Sequence, residues 1–287
     1  MGFLKFFTKA RVYVATIFLI ICLISLIYGG WLLALFLGLL VYLGQRELDG
    51  MIKAKGMDAP LFLILVIDAI LIIIATLKLY NAIMPMFAVS VIAIFLVILF
   101  RGANARLNDI GASFFAVLYG GFLPMHIILL RDISAPDIML FGRIFDAGIG
   151  YIVFMFVVIS LSDIAAYYTG MNFGKTPLWK EISPKKTVEG SIGGTVASVL
   201  GAIAIGYFIN LPVIHSVIAG LMLSAFAQLG DLIESMIKRD VGVKDSGSLL
   251  PGHGGILDRA DSYIFTGAVA YYYFSIFVNH NVLLSMF

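Results

Sequence analysis

The sequence predicts an all-α fold: a polytopic integral membrane helical bundle with about nine transmembrane helices and a cytoplasmic N-terminus. Of the 287 residues, 61% are hydrophobic and only 13% are charged, whereas soluble domains carry about 25% charged residues. The apolar runs are continuous and rich in Ile and Leu, unlike the short alternating segments of a membrane β-barrel. A net charge of +2 gives no indication of a nucleic-acid partner, and the single cysteine, Cys22, excludes an intrachain disulfide.

Nine stretches are long and apolar enough for a membrane-spanning helix, which needs about 20 residues. They are residues 11–28, 31–47, 60–77, 82–100, 110–130, 146–169, 191–210, 212–237 and 260–280. Tyr28-Gly29-Gly30 and Asn210-Leu211-Pro212 predict tight turns between consecutive spans. No linker separates soluble parts, so we expect one membrane domain in which residues 1–145 form a scaffold and residues 146–287 carry the functional loops.

The positive charges favour one side of this arrangement. Of the 19 Lys and Arg residues, all but Lys78, Arg131 and Arg143 fall on that side. Because such charge collects in cytoplasmic loops, the N-terminus is predicted to be cytoplasmic. The two most polar loops, 170–190 and 238–259, then face the cytoplasm as well, where they can meet.

Segment 230–261 concentrates ionisable side chains between two apolar stretches, and charge placed in or beside a membrane is usually functional. Asp231, Glu234, Ser235 and Lys238 are spaced at i, i+3, i+4 and i+7, so they share one face of a helix. This stripe could form part of a site. It could also be a polar clamp between helices, with Lys238 extending to the membrane interface.

The acids of this segment favour a hard cation bound through oxygen, most readily Mg²⁺, because no cysteine accompanies them. Asp258 and Asp261 are three residues apart at the start of the last span, a spacing that can aim both carboxylates in one direction. They could instead cap that helix or complement its dipole.

A glycine-rich turn, Leu250-Pro251-Gly252-His253-Gly254-Gly255, precedes the last span. Glycines let backbone N–H groups approach a phosphate closely, and a helix N-terminus favours an anion. Flanked by Lys244-Asp245 and Asp258-Arg259, the turn predicts a phosphate-facing loop. His253 could donate to a phosphate oxygen, transfer a proton or make a structural hydrogen bond.

A second polar loop, residues 182–194, combines paired lysines and hydroxyl groups with several glycines. Lysines beside a helix start describe an anion site, although cytoplasmic loops are generally rich in lysine. Asp163 precedes this loop in the sixth span. It could add a carboxylate to the metal or ribose region, or pack as a buried polar group.

The motifs resemble those of one family. The run Ser235-Met-Ile-Lys238-Arg239, then Lys244-Asp245 and Leu250-Pro-Gly-His-Gly-Gly-Ile-Leu-Asp-Arg-Ala-Asp261, is similar to the signature of phosphatidate cytidylyltransferases, also called CDP-diacylglycerol synthases. Residues 162–190 resemble a second conserved region of that family, whereas the first five spans match only in being hydrophobic. Relatives often carry a basic residue where this chain has Met171-Asn172, so the resemblance supplies no phosphate contact there.

The resemblance implies that CTP and phosphatidate give CDP-diacylglycerol and diphosphate, in phospholipid biosynthesis. It also implies a homodimer in a bilayer and a centre of one or two Mg²⁺ ions, with a monovalent ion possible, at Asp231 and Asp245, to which we add Asp258. The predicted catalytic residues are Asp231, Lys244, Asp245, His253, Asp258 and Asp261. The predicted substrate-binding residues are Asp163, Ser183, Lys185, Lys186, Thr187, Ser235, Lys238, Arg239, Gly254, Gly255 and Arg259. We expect a prokaryotic inner membrane, with the site facing the cytoplasm.

Two other functions are compatible with parts of the sequence. A CTP-dependent polyprenol kinase would also need basic loops and Mg²⁺ at a membrane surface. A cation-coupled transporter could use Asp68, Asp163 and Asp231 along a pathway, but it would not require the loop around Asp245, and no internal repeat is visible. The spaced aspartate pattern of CDP-alcohol phosphotransferases is absent.

Overall fold

A computed structural model describes residues 16–134, 138–140, 143–247 and 254–279. Within these ranges the chain is mainly helical, and the helices follow the apolar runs of the sequence. The helices are α1 Thr16–Tyr28, α2 Gly30–Ala54, α3 Leu61–Thr76, α4 Ile83–Leu99, α5 Leu107–Ala116, α6 Leu123–Arg131, α7 Ala147–Phe173, α8 Val188–Phe208, α9 Val213–Val241 and α10 Leu257–Tyr273. Short strands are β1 Ile138–Leu140, β2 Arg143–Phe145, β3 Pro177–Trp179 and β4 Ser183–Thr187.

Six of the described helical stretches are long and apolar enough to cross a membrane, judged by length and composition. Two of them include adjoining turns: Tyr80–Leu99 contains α4, and Leu107–Arg131 joins α5 and α6. Helices α1 and α3 are apolar but shorter, and α10 has 17 residues. The predicted class, an all-α polytopic membrane protein, is confirmed, while the count of nine spans and their orientation stay predictions.

The two predicted interhelical turns are confirmed. Gly29 and Gly30 have φ angles of 65° and 51° between α1 and α2, a left-handed conformation that glycine adopts without a steric penalty. Asn210 has a φ angle of 56° between α8 and α9. Asparagine is among the few other residues that enter this region readily.

The described helices and loops belong to two compact units. The first unit comprises Met1–Ile128 and Asp240–Ala260, and the second comprises Leu129–Arg239 and Asp261–Phe287. The predicted division of the chain at residue 145 differs from this grouping, because it assigned the whole charged segment 230–261 to the C-terminal helices. In the structure the middle of that segment belongs with the N-terminal helices.

The first unit contains a buried polar contact among apolar helices. The Nε2 atom of Gln45 donates to Asp68 Oδ2 at 2.6 Å and to the Ala116 carbonyl at 2.9 Å. A π-helical turn, Val117–Phe122, follows α5, and its Gly120 and Gly121 lie against the side chains of Gln45 and Asp68. A side chain at either glycine would displace this contact, so Asp68 is a helix-packing residue.

The second unit is organised around the close packing of α7 and α8. A Cβ atom on Gly194 would lie 2.7 Å from the Ser162 carbonyl, and Ser198 Oγ donates to the Val158 carbonyl at 2.9 Å. Small residues at such contacts let two backbones approach, as is typical of membrane helices.

The strands form two antiparallel hairpins, β1 with β2 and β3 with β4. They were not predicted, because strands of three to five residues are too short to show a clear alternation. The β3–β4 hairpin matters for function, since the segment interpreted as a polar loop opening a helix is strand β4 followed directly by α8.

Candidate functional site

A pocket of about 480 Å³ in the second unit collects many of the predicted substrate-binding residues. Helices α7, α8 and α9 and the β3–β4 hairpin all contribute to its lining. Its polar lining residues include Asp163, Ser183, Lys185, Lys186, Thr187 and Asp231. The sequence placed these residues on one side of the membrane, and the structure brings them into one cavity.

Lys186 is at the centre of the charges in this unit. Its ammonium group forms an ion pair with Asp231 Oδ2, and both side chains are about one-third exposed, 30% and 32%. Asp163 and Asp261 each interact electrostatically with both Asp231 and Lys186. Acidic side chains and a lysine amine therefore lie close together in this unit, so the region combines charges of both signs.

The β3–β4 hairpin presents the two lysines through contacts at the start of α8. Thr187 is the N-cap, and its Oγ1 accepts a hydrogen bond from Gly190 N at 3.1 Å. Glu189 accepts hydrogen bonds from Lys175 N and Thr176 N, at 3.1 and 3.2 Å. Thr187 thus fixes the junction that follows Lys185 and Lys186.

Replacing Thr187 with alanine is expected to lower stability by about 1 kcal/mol, because an N-cap oxygen is lost. In a protein of this size that corresponds to a melting temperature lower by about 2–4 °C, measurable by thermal unfolding in detergent. Thr187→Ser retains the accepting oxygen and should melt like the wild type. Equal melting temperatures for the wild type and both variants would contradict the role of Thr187 as the N-cap of α8.

The stripe on α9 contains two different pairs. Ser235 Oγ donates to Asp231 Oδ1 at 3.4 Å, which places Ser235 beside the pocket's acid. Lys238 Nζ is 2.7 Å from Glu234 Oε2, with side chains 11% and 1% exposed. The interpretation in which Lys238 extends to the membrane interface is therefore wrong: its amine is buried against an acid one turn away on the same helix. Arg239 Nε donates to the Ile182 carbonyl at 3.4 Å, linking α9 to the hairpin.

The first unit holds the remaining part of the signature. Lys244 and Asp245 are exposed, and Asp245 lines a pocket of about 470 Å³ that also includes Arg46 and Glu47. Asp258 is hydrogen-bonded to the loop, since its Oδ2 accepts from Ser246 N at 3.0 Å and from Gly255 N at 2.7 Å.

The predicted positions His253, Gly254 and Arg259 belong to the glycine-rich turn and the start of α10. Gly254 has a φ angle of 81°, so the turn there requires a glycine-like conformation. Arg259 is exposed at the first turn of α10. His253 lies outside the described residues, and its role stays a prediction.

The donor atoms fit a magnesium ion, although the described residues contain no group of three or more His, Cys, Asp or Glu side chains arranged to hold a metal. Mg²⁺ is usually bound by one or two carboxylates together with substrate phosphates. Asp163 and Asp231 line the same pocket and offer carboxylate oxygens, and no cysteine is among its lining residues. The predicted metal ligands Asp231, Asp245 and Asp258 stay predictions, and the hydrogen bonds of Asp258 give it an additional structural role.

Sequence reasoning missed two residues that belong to these surroundings. Gln228 lines the second-unit pocket, where it accepts from Ser191 Oγ and donates to Thr195 Oγ1 at 3.2 Å. Its position one turn before Asp231 on α9 was the available signal. Glu47 contacts the signature loop from α2, and no motif around it marked it.

The chain is similar to known proteins over most of its length. Residues 9–277 match the sequence profile of the cytidylyltransferase family. A Synechocystis sp. protein named phosphatidate cytidylyltransferase is 38% identical over 267 residues, which cover 86% of this chain and 90% of the relative. Phosphatidate cytidylyltransferase 4, chloroplastic, of Arabidopsis thaliana is 37% identical over 265 residues, 85% of this chain and 67% of the relative.

A third relative, phosphatidate cytidylyltransferase of Staphylococcus aureus, is 36% identical over 262 residues, 90% of this chain and 95% of the relative. These matches correct one expectation. The likeness was assigned to the C-terminal half, with the first five spans similar only in hydrophobicity, yet the profile begins at residue 9 and so includes those spans.

Proposed function

This chain belongs to the phosphatidate cytidylyltransferase family, and on that premise we propose that it transfers the cytidylyl group of CTP to phosphatidate. The products are CDP-diacylglycerol and diphosphate. The chain is an integral membrane nucleotidyltransferase, in keeping with its apolar helices. A lipid substrate and a water-soluble one must meet, which explains why charged side chains occur at the ends of apolar helices.

The observation that carries the proposal is the second-unit pocket. It combines cationic Lys185 and Lys186 with acidic Asp163 and Asp231 in about 480 Å³. Lysines alone would be sufficient to bind an inorganic anion, so the acidic side chains beside them need a separate explanation. Both signs of charge are required when phosphates are bound together with a cation.

In the proposed reaction a phosphatidate oxygen attacks the α-phosphorus of CTP and diphosphate leaves. The nucleophile is already an anion, so no side chain has to remove a proton. The protein's task is positioning and charge neutralisation. Asp231 of the second-unit pocket is the proposed ligand for Mg²⁺, which when bound would supply positive charge to the phosphates, and Asp245 stays a ligand predicted from the sequence.

The chain's own cations complete this neutralisation. Lys186 is held by Asp231, so its amine is oriented before substrate arrives, and Lys185 lines the same pocket. The hydroxyl groups of Ser183 and Thr187 are available as hydrogen-bond donors to phosphate oxygens, although Thr187 also caps α8. Gln228 anchors α8 to α9 beneath them.

We further propose that the protein is a homodimer in a prokaryotic inner membrane, with its site facing the cytoplasm. The bias of Lys and Arg towards one side of the predicted topology supports the orientation, and CTP is a cytoplasmic nucleotide. The dimer is implied by the family alone, and the mass of the detergent-solubilised protein tests it.

The decisive experiment incubates purified protein with labelled CTP, phosphatidate and Mg²⁺. We expect equal amounts of diphosphate and CDP-lipid. If neither product forms with any of several metal ions and detergents, the proposal is refuted. In a parallel incubation with polyprenol and γ-labelled CTP, formation of labelled polyprenyl phosphate would instead identify a CTP-dependent kinase.

Lys186→Met should lower kcat/KM for CTP about 10–150-fold, since a hydrogen bond to a charged group is worth about 1.5–3 kcal/mol. The control is Lys180→Met, which removes an exposed lysine from the turn of the same hairpin and should leave turnover unchanged. Equal activity of both variants would remove Lys186 from the phosphate site.

A further inference from the structure

Glu47 on α2 binds the signature loop of the first unit with both carboxylate oxygens. Its Oε1 accepts a hydrogen bond from Ile256 N at 2.9 Å. Its Oε2 accepts from Leu257 N at 3.1 Å and from Ser246 Oγ at 2.9 Å. One side chain from the N-terminal helices thus contacts the segments on both sides of residues 248–253.

These contacts cap helix α10 from outside. The first N–H groups of a helix lack partners within it, and α10 begins at Leu257. Glu47 satisfies the N–H of Leu257 and that of the preceding Ile256, and its negative charge also complements the helix dipole. Both acceptors thus come from a residue more than 200 positions away in sequence.

Ser246 is held between two carboxylates. Its hydroxyl lies 2.9 Å from Glu47 Oε2 and 3.1 Å from Asp258 Oδ2, and Ser246 N also donates to Asp258. A hydroxyl group has one hydrogen to donate, so it serves one carboxylate at a time. The backbone N–H groups must carry the rest of the interaction, which fixes the main chain as well as the side chain.

Two glycines show that the loop is shaped around this carboxylate. A Cβ atom on Gly247 would lie 2.6 Å from Glu47 Oε1, and one on Gly255 would lie 2.6 Å from Glu47 Cδ. Real Cβ atoms do not approach so closely, so a side chain at either position would displace the Glu47 carboxylate from its present place. This steric observation is independent of the hydrogen bonds.

We propose that Glu47 is a positioning residue for the signature loop, which carries Asp245 and Ser246. It acts through Ser246 and the start of α10, and it thereby fixes Asp245, the neighbour of Ser246 that lines the first-unit pocket. The inference rests on the proposed function for the reaction it serves. It also gives the N-terminal helices a role beyond that of scaffold.

The test compares wild type, Glu47→Gln and Asp49→Asn. Asp49 is two residues along α2 and pairs with Lys53, so its variant matches the charge change without touching the loop. We expect Glu47→Gln to lower kcat about 10–100-fold, as for residues that orient catalytic groups, with KM for CTP unchanged. Hydrogen exchange at the Ile256 and Leu257 amides should accelerate at least about tenfold, because their acceptor is weakened. Asp49→Asn should match wild type in both measurements.

Ser246→Ala gives a second, milder variant that keeps the fold testable. Because Glu47 acts through Ser246, the losses in kcat should be less than additive in the double variant. Wild-type kcat and protected amides in Glu47→Gln would overturn the proposal. The proposal would also be overturned if the Glu47→Gln protein failed to fold and the Ser246→Ala protein had the wild-type kcat.

The two proposals can fail separately. A wild-type protein that forms no CDP-lipid fails the proposed function. Hydrogen exchange at Ile256 and Leu257 still decides, in the same samples, whether Glu47 holds the loop.

Discussion

An Asp231→Asn variant is expected to lose about 10²–10³ in kcat/KM, the usual cost of removing one charge-stabilising group from an active site, while melting like the wild type. The melting temperature should hold because the Lys186–Asp231 pair is partly exposed, and such pairs contribute at most about 1 kcal/mol. Removing one of three neighbouring acids also relieves repulsion with Asp163 and Asp261. The measurements are CDP-lipid formation and thermal unfolding.

The matched control is Asp240→Asn. Asp240 is on the same helix but pairs with Lys55 near the exposed end, with a side chain 66% exposed, and its variant should retain wild-type turnover. If Asp231→Asn turned over at the wild-type rate, Asp231 would have no part in the metal centre.

A Glu234→Gln variant should be destabilised by about 1.5–3 kcal/mol, the value of a hydrogen bond to a charged group, because the buried Lys238 amine loses the Glu234 carboxylate and keeps Asp261 as an electrostatic neighbour. Its oxygen lies 2.7 Å from the Lys238 amine in surroundings where the Glu234 side chain is only 1% exposed. Resistance to unfolding by denaturant in detergent measures the loss.

Adding Lys238→Met to Glu234→Gln should restore part of that stability, because no buried amine is then left without the Glu234 carboxylate, while Asp261 loses its interaction with Lys238. Asp49→Asn, which removes the charge from a pair at the same spacing whose Lys53 side chain is 55% exposed, should cost only about 0.3–0.5 kcal/mol. A Glu234→Gln protein as stable as Asp49→Asn would show that the α9 pair carries no structural energy.

The sequence was sufficient for the features that depend on local periodicity. Long apolar runs predicted the helices, because burial in lipid requires them, and the spacing of Asp231, Glu234, Ser235 and Lys238 predicted a shared face of α9. The structure shows two separate pairs on that face: Asp231 and Ser235 at the pocket, and Glu234 and Lys238 buried. Spacing alone could not do so, since it does not show which side chain an acid turns towards.

Glu47 could not be identified because its partners are 199 to 210 residues away. Nothing in its neighbourhood distinguishes it from an acid at the end of an apolar helix. The β3–β4 hairpin was missed for a different reason: its strands are so short that the segment with the lysines and hydroxyl groups resembled an ordinary loop. In both cases the tertiary contact, rather than the local pattern, defines the residue's role.

The distance along the chain between Glu47 and Ser246 also sets an order of events during synthesis. At about 5–20 residues per second, Ser246 leaves the ribosome roughly 10–40 s after Glu47, when α2 to α9 have already been made. Throughout that interval the carboxylate has none of its three donors, and the signature loop has no anchor. The loop can therefore be held by Glu47 only after the helices α2 to α9 have been synthesised.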